Sequence, residues 1–191
     1  MTRILIIDGH PHAEPEHFIH GAADAYARGA KSGHEVRRID VASLYFPVLR
    51  SPDEWESGQV PPDIAEAQSD VSWADHIVFL YPLWLGDVPA LLKAFLEQVV
   101  RPGFALRYND KGFPEKLLKG KTARIIVSTG MPAPVYTLFY RAHSVRSFER
   151  NILSFVGIRP LGHTVIGAIE ADEAARLRWL AKIEQMGQRA A

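Results

Sequence analysis

Residues able to do chemistry collect in three short stretches, each directly after an apolar run. The first is "IIDGHPHAEPEHF" (Ile6 to Phe18), which puts His10, His12, His17, Glu14 and Glu16 into one loop. Histidines beside carboxylates raise the question of a metal. Their spacing is loose and no carboxylate second shell is evident, so no metal is expected. The loop has neither G-x-G-x-x-G nor G-K-[ST]. It leads into a helix N-terminus, whose free N–H groups and positive dipole end suit a phosphate. Glu14 and Glu16 compete with an anion there. The alternative is a helix-capping turn with solvent-exposed histidines.

The second stretch is "YPLWLGDVPALLKAFLEQVVRPGFAL". Pro82 ends a strand, Gly86 permits close backbone approach, and Trp84 and Leu85 supply a flat apolar wall. Backbone amides beside such a wall suit a planar heterocycle with polar edges. The alternative is that both side chains are core. The third stretch is "STGMPAPVY". Ser128, Thr129 and Gly130 offer hydroxyls and free amides, and Tyr136 is in a position to reach back over a site. The alternative is an ordinary strand-to-helix turn. His143 follows in the helical run "YRAHSVRSFERNILSFV", where a plain surface position is the competing reading.

The elements that must position these stretches are legible as apolar runs. Strands are expected at Arg3 to Asp8, His34 to Val41, His76 to Pro82, Ala123 to Thr129 and His163 to Ile169. Helices are expected from Glu16 to Lys31, from Asp63 (as cap) to Trp73, after Pro89, from Arg141 to Val156, and from Asp172 onward. In the helix after Pro89, Leu91, Leu92, Phe95, Leu96 and Val99 share one face. Leu44 to Pro62 and Arg101 to Lys121 read as long loops of the kind that carry function or pack on a partner. Five strands alternating with five helices predict an α/β fold, with a parallel sheet of order 2-1-3-4-5 and helices on both faces. Ligands of such sheets lie beyond the carboxyl ends of the strands, where the order reverses between the first and third. The three stretches meet there. A phospho-receiver domain shares this topology but needs an acidic cluster after the first strand. Here Asp8 stands alone and the third strand ends in Tyr81-Pro82, which excludes it.

Composition narrows the chemistry. The 191 residues suit a single domain, 1–191, and 47% are hydrophobic, enough for a full core. Net charge is zero, which speaks against a nucleic-acid surface or a polybasic membrane patch. Cysteine is absent. Disulfides and dithiol redox chemistry are thereby excluded, so any electron transfer must use a bound cofactor. No apolar run reaches the length of a membrane span, and a cytoplasmic location is expected.

The chain resembles the flavodoxin-like NAD(P)H:quinone oxidoreductases, a family that includes ancillary flavoproteins of potassium efflux systems and modulator-of-drug-activity quinone reductases. The likeness covers nearly the whole chain. It is most specific in the aromatic-Pro-Leu turn, the Trp, the Pro-Ala-x-Leu-Lys and the Gly-Phe-Ala of the second stretch, with "GHP" and "STG…Y" in support. It implies a flavodoxin-like three-layer sandwich holding FMN or FAD noncovalently, with NADH or NADPH as co-substrate and a quinone-like acceptor, by ping-pong hydride transfer. His10 and Phe18 would lie along the phosphate side. Pro82, Leu83, Trp84, Leu85 and Gly86 would line the isoalloxazine ring, and Ser128, Thr129 and Gly130 its pyrimidine edge. Tyr136 and His143 match a Tyr and a His that offset charge on the reduced flavin. Glu14 stands where the family often has a Ser, and the interval from Tyr136 to His143 is one residue longer than in the mammalian enzymes. Arg176 matches an arginine of the FAD-binding members. A homodimer is implied, its long loops packing across a two-fold axis. The rival implications are an ancillary flavoprotein partnering a membrane transporter, and an azo- or nitroreductase.

Overall fold

The computed structural model describes residues 1–109, 112–169 and 172–190. Strands β1 (Arg3–Asp8), β2 (Glu35–Asp40), β3 (His76–Pro82), β6 (Thr122–Ser128) and β7 (Arg159–Ile166) form one parallel sheet in the order β2-β1-β3-β6-β7. Once the short β4 (Leu106–Tyr108) and β5 (Pro114–Lys116) are set aside, this is the expected order 2-1-3-4-5. Those two strands pair antiparallel inside the segment expected to be a loop from Arg101 to Lys121. Their residues are exposed apart from Leu106, so no apolar pattern announced them.

The continuous apolar runs of β1, β3 and β6 reflect burial on both faces. Leu5 and Ile7 of β1, Phe79 and Tyr81 of β3, and Ile125 and Val127 of β6 point to one side. Ile4, Ile6, Val78, Leu80 and Ile126 point to the other. Each such side chain stabilises the fold by about 1.5–3 kcal/mol when fully buried. The second side is covered by α1 (Phe18–Ala30) and α7 (Glu173–Gln188), which pack closely. A Cβ on Gly29 would sit 1.9 Å from the Glu184 carbonyl oxygen, and one on Gly187 would sit 2.2 Å from that of Tyr26. Only glycine permits this approach.

The first side is covered by α3 (Pro62–Trp73), α4 (Ala90–Val99) and the segment from His143 to Val156. That last segment is not the single α-helix expected. α5 (His143–Ser147) and α6 (Ser154–Val156) flank a π-helical stretch, Phe148–Leu153, and a second π-helical turn spans Val135–Phe139. Between that turn and α5, Arg141 and Ala142 take positive φ of 56° and 47°. The expected loop from Leu44 to Pro62 contains α2 (Pro52–Glu56), where Ser51 accepts from the Glu54 amide. Asp63 is not the cap of α3. It lies in the first turn, and its carboxylate accepts from the Tyr45 amide at 2.6 Å. Asp172 does cap α7, accepting from Ala174. β7 begins at Arg159, ahead of the expected His163, because the "RP" start pairs with Thr122 and Ala123.

Candidate functional site

The carboxyl ends of β1, β3 and β6 lie side by side, and backbone bonds fix the loops that leave them. The Gly9 amide donates to Leu80 at 2.7 Å, Leu83 to Ser128 at 2.7 Å, and Thr129 to Ile166 at 2.9 Å. Beyond these ends is a crevice of about 510 Å³. The first loop and the start of α1 line it with His10, His12, Glu16, His17, Phe18 and Ile19. Pro82, Trp84 and Ser128 form the facing wall, and Ile169 and Arg176 close the far end. A larger hollow of about 560 Å³ lies elsewhere, between α4, the Leu49 to Glu56 segment and Asn151 to Phe155. Its walls are mostly apolar, with Glu56, Asn151 and the Lys93–Glu97 ion pair as their polar members. The crevice at the strand ends is where chemistry can be directed.

Five of the expected residues, His10, Phe18, Pro82, Trp84 and Ser128, are brought together in this crevice. Trp84 is 49% exposed and meets His10 edge to face, with ring centroids 6.1 Å apart. It is a wall of the crevice and not core. Leu83 turns away and packs on the main apolar cluster. Leu85 is fully exposed at φ 49°, and Gly86 follows at φ 83°. The amides of Leu83 and Trp84 are already used, by Ser128 and Asp87. Those of Leu85, Gly86 and Gly130 have no protein acceptor among the described residues. These are the donors the turns can offer a ligand.

His143 is exposed and lies against Gly86, its Cε1 3.7 Å from where a Cβ would stand. Tyr136 does not reach back over the crevice as expected. It is fully buried, and its hydroxyl is held by the Ser144 hydroxyl at 2.6 Å. The positive φ values at Arg141 and Ala142 turn the chain so that Tyr136 lies behind His143, with centroids 6.2 Å apart. Thr129 is buried, and its hydroxyl oxygen accepts from the Met131 amide at 3.3 Å.

The first loop is organised by its histidines. His10 stacks on His17 at 3.9 Å, and His12 Nδ1 lies 2.9 Å from His17 Nε2. Burial lowers the proton affinity of His10. No group of three or more His, Cys, Asp or Glu among the described residues has the geometry to hold a metal ion. α1 begins at Phe18 with no side-chain cap and no carboxylate in its first turn. The free N-terminal amides of α1, the imidazoles and Arg176 share the crevice with the Trp84 ring, and the free amides of Leu85, Gly86 and Gly130 lie in the turns that leave β3 and β6. That donor set fits a planar ring carrying a phosphorylated tail.

One buried cluster escaped the sequence reading. Asp8 is fully buried and accepts from the His10 amide at 3.1 Å, His20 Nδ1 at 2.6 Å and Arg38 Nη2 at 2.9 Å. The usable signal was an Asp ending an apolar strand with a His in the first turn of the next helix.

The model of the flavodoxin-like fold family matches residues 2–189. An FMN-dependent NADH:quinone oxidoreductase 3 of Bacillus cereus is 27% identical over 195 residues, spanning 90% of each chain. The NAD(P)H:quinone oxidoreductase structure from Methanothermobacter marburgensis aligns over 100% of this chain and 99% of that one, with TM-score 0.85 and 24% identity. An FMN-dependent NADH-azoreductase from Bacillus anthracis str. Ames Ancestor, solved in complex with FMN, aligns over 100% of both chains with TM-score 0.76 and 17% identity. A match running nearly end to end agrees with the parallel sheet and its order, and the chain belongs to the flavodoxin-like fold family.

Proposed function

We propose that this chain is a flavin-dependent NAD(P)H oxidoreductase that takes FMN into the crevice, uses NADH and reduces quinones or related acceptors. The observation that carries the reading is the pairing of an uncapped α1 N-terminus with a Trp84 wall and free turn amides at the switch point of the sheet. The names of the B. cereus relative and of the FMN-bound azoreductase support FMN and NADH. A bound flavin supplies hydride transfer between the nicotinamide and the acceptor.

The chain's own residues bind and tune. Trp84 flanks the ring and keeps water from one side. The free Leu85, Gly86 and Gly130 amides and the Ser128 hydroxyl would donate to its polar atoms. His10, His17, the Phe18 amide and Arg176 would hold the phosphate. His143, beside Gly86, offers a proton or a positive charge where negative charge develops. Tyr136 positions His143 and the Ser144 turn. With nicotinamide and acceptor bound in turn at the crevice, ping-pong kinetics would be expected.

The chain also pairs with a second copy on this reading. Leu85, Leu138, Phe139 and Tyr140 are exposed, as are Tyr108 and Phe113 in the β4–β5 segment. Large exposed apolar groups of this kind favour a covering partner. An absorbance spectrum of the purified protein after addition of FMN, followed by steady NADH oxidation with a quinone, tests the activity. Absence of flavin uptake by folded protein would sink it. Reduction of an azo dye in preference to a quinone would move the acceptor class.

A further inference from the structure

The imidazole of His20 stands between two acceptors. Its Nδ1 is 2.6 Å from Asp8 Oδ2, and its Nε2 is 2.9 Å from the carbonyl oxygen of His12. Asp8 already accepts from the His10 amide and from Arg38, which marks it as an ionised, acceptor-only carboxylate. A carbonyl oxygen cannot donate. Both ring nitrogens of His20 must therefore donate, and a ring that donates twice is an imidazolium. Burial opposes this charge, but the bonds to Asp8 and to His12 outweigh it and raise the proton affinity of His20.

We propose that His20 is a positioning residue whose proton clasps the His10–His17 loop to α1, so that the crevice takes up phosphorylated flavin only while His20 is charged. The proposal rests on the flavin reading above and adds to it the control of the phosphate end.

The surrounding charges explain why the proton is needed. From β1, Asp8 is fully buried and cannot be left without compensation. From β2, Arg38 opposes His20 but is shared among Asp8, Asp24 and Asp40, while Asp40 itself favours a cation. From α1, Asp24 lies one turn beyond His20 and borders the same small hollow as Arg38 and Asp40. From the loop come His10 and His17, with ring centroids 5.1 and 5.9 Å from that of His20. Three carboxylates against one guanidinium leave the cluster with two negative charges in excess, and a charged His20 halves that excess. When His20 loses the Nε2 proton it keeps its bond to Asp8 and drops the His12 carbonyl. The bond lost is the one from α1 to the middle of the loop, at the His12 carbonyl. His12 then keeps its amide bond to His10 Nδ1 at 3.1 Å but loses the clasp to α1, so its ring is presented less firmly to His17 at the phosphate end.

Dissociation constants for FMN and for riboflavin, which lacks the phosphate, are to be measured by flavin fluorescence between about pH 7 and 9, around and above the ordinary histidine range. Over that range the phosphate of FMN is already dianionic. FMN affinity should fall as His20 loses its proton, by roughly tenfold per pH unit for one linked proton, and riboflavin affinity should stay level. His20→Gln keeps a donor but cannot titrate, so it should flatten the FMN profile. Nitrogen-15 NMR of the histidine rings in the flavin-free protein provides a reading that needs no ligand, and His20 should carry both ring protons at about pH 7. A singly protonated His20 at that pH would overturn the proposal, as would parallel loss of FMN and riboflavin, or an unchanged slope in His20→Gln. If FMN binds without the slope, only this proposal falls; if neither flavin binds, the flavin reading falls with it.

Discussion

The first residue of β3, His76, should make this protein sensitive to mild acid. His76 is 2% exposed, with Nδ1 held at 2.8 Å by the Thr122 hydroxyl and Nε2 without a partner among the described residues. Burial first, then the nearby positive charges of Arg124 and His34, lower its pKa from 6.5 to about 4. The unfolded chain therefore binds a proton between those values that the folded chain refuses. Stability is unaffected by His76 above pH 6.5, declines as pH falls through the window, and is lowest below the folded pKa of about 4. At about 1.4 kcal/mol per tenfold change in proton affinity, the full loss is about 3 kcal/mol. That is a large share of the roughly 5–15 kcal/mol that stabilises a domain. Urea unfolding of the wild type and of His76→Gln, followed by circular dichroism at intervals from about pH 7 to 4, isolates the effect. The two curves should converge or cross as pH falls, with the wild type losing more. Curves that stay parallel across the window would show that His76 is protonated in the folded state, and the burial argument would be wrong.

Trp84→Ala should weaken flavin binding by about 1–3 kcal/mol, seen in a fluorescence titration, with little change in melting temperature because the ring is already half exposed. His143→Ala should slow flavin reduction by NADH in stopped flow while leaving FMN affinity close to wild type. Tyr136→Phe should instead lower stability by about 1–2 kcal/mol, because it strands the buried Ser144 hydroxyl; a large rate effect without a stability loss would return Tyr136 to direct contact with the reacting ring. Arg101→Ala should cost about 2–5 kcal/mol in chemical denaturation. Its buried guanidinium donates to the carbonyls of Glu54, Trp55, Gly58 and Gln59, and alanine leaves all four without that donor.

Apolar runs such as "ILII" and "IVFLY" can be stable only if both faces of a strand are covered, so the parallel sheet and its helical layers were legible from the sequence. The alternation of those runs with helical stretches left little freedom in strand order, and the switch point followed from the order. The aromatic-Pro-Leu turn with its Trp likewise announced one wall of the crevice. Other features depended on distances that no local pattern carries. Tyr136 reads as a residue following a loop, and only the left-handed turn at Arg141 and Ala142 sends it behind His143 into the core. β4 and β5 form because the fold brings two largely polar segments together, not because either favours a strand. Asp8, His20 and Arg38 are spread over three elements, and each is ordinary alone. Their meaning arises when the sheet buries Asp8 and leaves its charge to be balanced by whichever cations the packing brings within reach.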